Sequence, residues 1–240
     1  MRTAQAIRRR IQARGPDSLW TFNDFGGFPG YAVAQALSRL AKEGFIRRIR
    51  RGLYYYPKMT AMGPSKPSTA LLLAKTIRRS KGGTIFAGGT ASFQNLGITT
   101  QVPAQYTILG NLAPRTIQIG EVTVRIRQRS FGHLKGASQE DFWVLDSIRN
   151  LKHVPDSTPT NAVAKIVANL RTSGRSVQRR LLQFARGEPP RVRAVLGAIA
   201  ERIGYRGPET EMLKKSLNPL TKYHLDVASA LPNASAWNIV

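Results

Sequence analysis

Tyr31-Ala32-Val33-Ala34-Gln35-Ala36-Leu37-Ser38-Arg39-Leu40-Ala41-Lys42-Glu43, followed by Gly44 and then by Phe45-Ile46-Arg47-Arg48-Ile49-Arg50-Arg51-Gly52-Leu53-Tyr54-Tyr55-Tyr56, is the stretch on which the fold turns. Val33, Leu37 and Leu40 stand at i, i+4 and i+7, the stripe of an amphipathic helix over 31–43, and Gly44 is a natural stop. Tyr31, Gln35, Ser38 and Lys42 make the opposite stripe, with Arg39 beside it. The two runs that follow are rich in β-branched and aromatic residues around Arg50-Arg51-Gly52, which predicts a hairpin with a basic tip.

Working outward, Thr3 is placed to cap a helix reaching about Arg14, with Ala6, Ile7 and Ile11 on one face and Arg8, Arg9, Arg10 and Arg14 around the rest; Gly15-Pro16 ends it. Residues 19–25 read as a brief second helix or turn whose aromatics serve the core, and Gly26-Gly27-Phe28-Pro29-Gly30 forces a turn. Helix, short helix, turn, amphipathic helix and hairpin is the order of a winged helix-turn-helix, with the 31–43 helix in the recognition position. Gln35 and Arg39 suit adenine and guanine edges in a major groove, while Ser38 and Lys42 can reach bases or phosphates. Arg47, Arg48, Arg50 and Arg51 around the hairpin turn offer guanidinium groups to phosphates or a minor groove, with Ile49, Leu53 and Tyr55 holding the hairpin to the body.

The expected fold class is α+β: a winged helix-turn-helix over 1–58, a Pro- and Gly-punctuated linker over 59–67, and a mixed α/β domain over 68–240 that turns helical from about 160. In the second domain the pattern predicts a helix from Thr69 to about Arg79, a strand Thr84–Phe86, a short helix Thr90–Leu96 and a strand Tyr106–Leu109. A hairpin of 116–119 with 122–127 follows, then a helix after the capping box Ser138/Asp141. Four more helices are expected over 160–173, 176–186, 190–203 and 209–217, and residues 218–240 carry no assignable pattern.

Composition limits what such a chain does. Its 37 Lys and Arg against 13 Asp and Glu give a formal charge of +24, a self-repulsion that a polyanionic partner relieves. Residues 1–58 hold 12 basic and 3 acidic side chains, 59–160 hold 12 and 5, and 161–240 hold 13 and 5, so every part of the chain is basic. No apolar run approaches the roughly 20 residues a membrane span needs, and no signal-like apolar segment follows the N-terminal charges, so the expected location is the cytoplasm. The absence of cysteine removes disulfides, thiol nucleophiles and thiolate zinc sites. His133, His153 and His224 stand at no metal-ligand spacing, so neither a metal nor a cofactor is expected. Glu140 and Asp141 read as helix-start carboxylates, not an acid–base pair, and Gly82-Gly83 and Gly88-Gly89-Thr90 as tight turns that match no phosphate-loop spacing. Arg179, Arg180, Arg191 and Arg193 offer a second basic face, for nucleic acid or an acidic partner, with a solvated face as the plain alternative.

Phe22…Asp24-Phe25, the run Val33 to Leu40, Gly44, and Arg48-Ile49-Arg50-Arg51-Gly52-Leu53-Tyr54…Tyr56-Pro57 together resemble the N-terminal domain of the AbiEi-like antitoxins, the regulator half of type IV toxin–antitoxin systems of the AbiE abortive-infection kind. Ala91…Asn95-Leu96-Gly97-Ile98-Thr99-Thr100-Gln101-Val102-Pro103-Ala104 and Thr116-Ile117-Gln118-Ile119-Gly120 look like the start of that family's second domain, so the resemblance covers roughly residues 1–130. It implies a non-enzymatic repressor whose winged helix binds inverted repeats in its own promoter and whose second domain helps to counter a nucleotidyltransferase-like toxin. The residues also suit a stand-alone repressor of a mobile element, or an RNA-binding or nucleic-acid-processing protein, although no acid–base or metal cluster stands out for the last.

Overall fold

The computed structural model describes residues 2–68, 71–72, 84–119 and 121–240, and the architecture is mixed α and β. Two compact units divide the chain: residues 1–82 with 118–122, and residues 83–117 with 123–240. The helix expected from Thr69 to Arg79 lies outside the described residues, apart from 71 and 72.

In the first unit, α1 (Arg2–Arg14) buries Ile7 and Ile11, one helical turn apart. Thr3 lies inside this helix and does not cap it. Three of its arginines lie over core aromatics: Arg8 over Phe45 at 4.5 Å, Arg14 over Trp20 at 5.0 Å and Arg10 over Phe25 at 6.0 Å. The segment expected to be helix or turn divides in two. Ser18–Trp20 is a strand, β1, and Phe22–Phe25 a single 3₁₀ turn started by Asp24, whose carboxylate accepts from the Thr21 N–H and hydroxyl at 2.6 and 2.8 Å. Then come α2 (Gly30–Lys42), β2 (Arg47–Arg50) and β3 (Leu53–Tyr56). Gly44, at φ 73°, supplies the left-handed residue that lets the chain leave α2.

The sheet order is β1-β3-β2, antiparallel throughout, with Trp20 opposite Tyr54 and Arg48 also opposite Tyr54. Val33, Leu37 and Leu40 of α2 close the core over Trp20, Phe25, Ile46 and Tyr54. The segment expected as a linker carries a small hairpin, β4 (Met59–Thr60) with β5 (Gly63–Pro64). Ser65 just beyond it shares Asp17 with the Tyr55 hydroxyl, so these residues belong to the first unit.

The second unit holds, apart from the residues 118–122 grouped with the first, a four-stranded sheet in the order β6-β7-β9-β8 (β6 Ile85–Gly88, β7 Gln105–Gly110, β8 Arg115–Ile119, β9 Val122–Gln128), with α3 (Thr90–Asn95) after β6. The pairing of β7 with β9 is parallel. Helix α4 (Gln139–Arg149) starts at the Ser138/Asp141 capping box and stacks Phe142 on Phe86, ring centroids 4.4 Å apart. The helical region follows: α5 (Pro159–Thr172), α6 (Arg175–Ala185), α7 (Pro190–Arg202) and α8 (Pro208–Lys215).

Helix α7 is buried almost all round, and its small residues Ala194, Gly197, Ala198 and Ala200 let neighbours approach closely. One neighbour is the tail, residues 218–240. It buries Tyr223, Leu225, Val227, Leu231, Trp237 and Ile239, and ties itself through Tyr223 N–H to the Asn238 carbonyl at 2.8 Å. Trp237 donates its indole N–H to Glu201 at 2.7 Å and lays its ring on Gly197, where an added Cβ would meet two ring carbons at 2.1 Å. Gly197→Ala is therefore expected to displace Trp237 and to destabilise the second unit by about 1–3 kcal/mol, seen as a lower urea midpoint together with a shifted tryptophan emission. Emission and midpoint equal to wild type would remove Trp237 from its place over α7.

Candidate nucleic-acid interface

The buried side of α2 is Val33, Ala36, Leu37 and Leu40, which leaves Tyr31, Gln35, Ser38, Arg39 and Lys42 exposed, Tyr31 at 75 %. The structure thus puts all five expected helix residues on the solvent side. On the hairpin, Arg47, Arg48 and Arg51 are exposed and Arg50 is half-buried. β2 is an edge strand of the three-stranded sheet, and Arg47 and Arg48, which precede the register shift between Arg48 and Arg50, both reach solvent. Gly52 at φ 74° makes the turn. Leu53 and Tyr55 are buried and Ile49 half-buried, the anchoring side of the hairpin.

The cations are available because the local anions are engaged elsewhere. Residues 1–58 contain three carboxylates. Asp17 accepts from the Tyr55 and Ser65 hydroxyls, and those hydrogen bonds hold its carboxyl below the ordinary range. Asp24 caps the 3₁₀ turn, and Glu43 faces Arg8 of α1 at 3.7 Å. Among the described residues, Arg39, Lys42, Arg47, Arg48 and Arg51 therefore have no carboxylate partner. An array of uncompensated cations along one helix and one hairpin is suited to a polyanion, because each neutralised phosphate releases condensed counterions.

The second group of expected arginines serves varied ends. Arg179 donates its Nε–H to Glu209 at 2.7 Å, and Arg180 forks onto Asp141 with two bonds of 3.0 Å. Arg191 and Arg193 of α7 donate to the backbone carbonyls of Arg149 (2.6 Å) and Ser216 (3.2 Å), so they hold helix ends. Two clusters escaped the sequence pattern. Arg175 and Arg206 join Arg179 and Arg180 around one depression, and Arg115, Arg125 and Arg127 line a groove of about 490 Å³ on the β8-β9 side of the sheet. Arg175, Arg179 and Arg180 share one helix and Arg125 and Arg127 one strand, but Arg206 and Arg115 are brought in from other elements, which no local pattern marks.

The Gly88-Gly89-Thr90 turn is occupied from within: Asp146 accepts from the Gly89 N–H and the Ser92 hydroxyl, both at 2.8 Å. Asp141 is likewise engaged, by the Ser138 N–H and Arg180. His133 meets Glu188 at 2.9 Å. Among the described residues no three His, Cys, Asp or Glu side chains come together as a metal cluster, and no helix is long and apolar enough to cross a membrane.

The Tyr205 hydroxyl, at 2.7 Å, and Arg179 hold the Glu209 carboxyl below its usual range. A depressed acid contributes stability that is present above its unfolded pKa and is lost as pH falls through the folded value. The wild-type chain should therefore lose more thermal stability than Glu209→Gln between roughly pH 5 and pH 3. Parallel pH profiles would remove Glu209 from the acid transition.

No curated protein matches the sequence. Among solved structures the chain is similar to the crystal structure of the RV2827C protein from Mycobacterium tuberculosis, at 12 % identity over 92 % of this chain and 82 % of that one, with a TM-score of 0.42. Residues 6–175 match DUF6088, a family of unknown function, and the chain belongs to that family.

Proposed function

We propose that the first unit is a winged helix-turn-helix that binds double-stranded DNA, with α2 as recognition helix in the major groove and the β2-β3 hairpin as wing, and that the protein is a transcriptional repressor. One observation carries the reading: the order α1, β1, turn, α2, β2, β3 with sheet order β1-β3-β2 accompanies an α2 whose solvent side holds Gln35, Ser38, Arg39 and Lys42 without a carboxylate partner. A helix fits the major groove, where Gln and Arg are the side chains suited to adenine and guanine. Following the resemblance to AbiEi-like antitoxins, the protein is the cytoplasmic antitoxin of a type IV system. In that role it represses its own operon at promoter inverted repeats and counters a nucleotidyltransferase-like toxin, without catalysis of its own. Rescue of growth on co-expression with such a toxin tests that part separately.

The DNA reading is tested by Gln35→Ala with Arg39→Ala. Both side chains are exposed, so the fold should survive, while preference for the selected site over random duplex should fall by about 2–6 kcal/mol, roughly one to three for each base no longer read. If competition binding shows an unchanged preference, α2 is not the reading helix.

A further inference from the structure

Four arginines of the second unit converge on a single depression. Arg175, Arg179 and Arg180 of α6, with Arg206 from the turn before α8, line a hollow of about 580 Å³, and Ser176 and Gln183 complete its α6 wall. Residues 175 and 179, and 176, 180 and 183, are neighbours on one side of a helix, so α6 turns a whole flank toward the hollow. The size suits a small molecule.

The four side chains are of two kinds. Arg179 and Arg180 are fixed. Glu209 holds the first through Nε, and Asp141 holds the second through Nε and Nη2; both carboxylates are themselves buried, with side chains 6 % and 2 % exposed. Their guanidinium groups keep further N–H donors, and their direction is set before any ligand arrives. Arg175 and Arg206 are exposed and have no carboxylate partner among the described residues. Four guanidinium groups against two carboxylates leave two positive charges in excess, gathered around one open depression. Holding like charges together is unfavourable until an anion enters.

The charge count also selects the anion. A phosphodiester brings one negative charge per phosphate, and a duplex presents its phosphates on a convex, evenly spaced backbone. A terminal phosphate carries about −1.5 to −2, and a pyrophosphate group more, in the compact form that convergent forked donors grip bidentately. We propose that this depression binds the terminal phosphate or pyrophosphate group of a small ligand. Arg179 and Arg180 orient the phosphate oxygens, and Arg175 and Arg206 neutralise the charge. The site is built from residues of the second unit alone, and the proposal does not depend on the DNA reading.

The test is isothermal titration calorimetry of the full chain with inorganic pyrophosphate at about 0.15 M salt. One site per chain is expected. Arg175→Gln with Arg206→Gln should weaken it by at least about tenfold while leaving the thermal midpoint of the unliganded protein unchanged, because neither side chain is tied to the core. Arg47→Gln with Arg51→Gln removes the same charge from the first unit and should leave pyrophosphate binding as in wild type. Absence of binding heat overturns the proposal. So does equal weakening by the two double variants, which would mean diffuse attraction to a +24 chain. Displacement of pyrophosphate by a short duplex from the Arg47→Gln/Arg51→Gln protein would also overturn it, since the hollow would then be a backbone contact. Loss of DNA binding alone leaves all these readouts unchanged.

Discussion

Glu188→Gln is expected to destabilise the second unit by about 3–5 kcal/mol, a fall of about 10 °C in thermal midpoint for a unit of this size. Glu188 has no exposed side-chain surface and stands at the centre of a cationic cage. Arg129 Nη2 donates to its two oxygens at 2.9 and 3.1 Å, Arg149 donates through Nε at 3.0 Å and again through Nη2, and His133 Nε2 lies 2.9 Å away. Arg129 also reaches Asp146 at 3.4 Å and lies over the rings of Phe131 and Phe142. Burial pushes the Asp146 carboxyl up and the Arg129 guanidinium down, so both charged forms depend on their partners for compensation. The amide keeps the shape of the carboxylate and removes its charge, which leaves the mostly buried Arg129 and the part-exposed Arg149 without their shared counter-charge. Breaking a buried ion network from one side costs more than the network contributes as a whole, because the remaining charges stay desolvated. Urea denaturation measures the change, and a variant within about 1 kcal/mol of wild type would show that the cage is solvated enough to tolerate the loss.

Replacing Arg47, Arg48 and Arg51 together by Gln should leave stability unchanged and weaken binding to every duplex alike. The three side chains are exposed and lack carboxylate partners, so their loss removes no packing. If each meets one phosphate, the log–log salt slope becomes shallower by nearly 3, and affinity at about 0.15 M salt falls roughly a hundredfold. Because phosphates carry no sequence information, the ratio of specific to random binding should hold. Fluorescence anisotropy across a salt series measures both quantities. An unchanged slope would detach the hairpin from DNA, and a collapsed preference would make these arginines base readers.

The parts of this fold that were legible in the sequence are those governed by local periodicity. Val33, Leu37 and Leu40 define α2, and the Ser138/Asp141 box marks the start of α4. Where partners distant in the chain decide, the pattern was silent. Ser18-Leu19-Trp20 is too short to declare itself, and becomes a strand because Tyr54, Tyr55 and Tyr56 pair with it. The parallel pairing of β7 and β9 leaves no local mark, and neither does the tail, whose apolar residues follow no period because they fill gaps around α7. The same contrast holds for the candidate sites. The outward stripe of α2 follows from the helix itself, whereas the α6 depression needs Arg206 brought up by the turn before α8. Glu188, within the breaker run Gly187-Glu188-Pro189-Pro190, reads as punctuation, yet its partners lie 39, 55 and 59 residues away.

Whether α2 reads duplex DNA is decided by selecting binding sites for the full chain from random duplexes at about 0.15 M salt. The expected result is enrichment of a defined site with at least one adenine and one guanine whose replacement costs about 1–3 kcal/mol each, and loss of that enrichment in Gln35→Ala/Arg39→Ala. Recovery of a pool as diverse as the starting one, or the same site selected by the double variant, would contradict it.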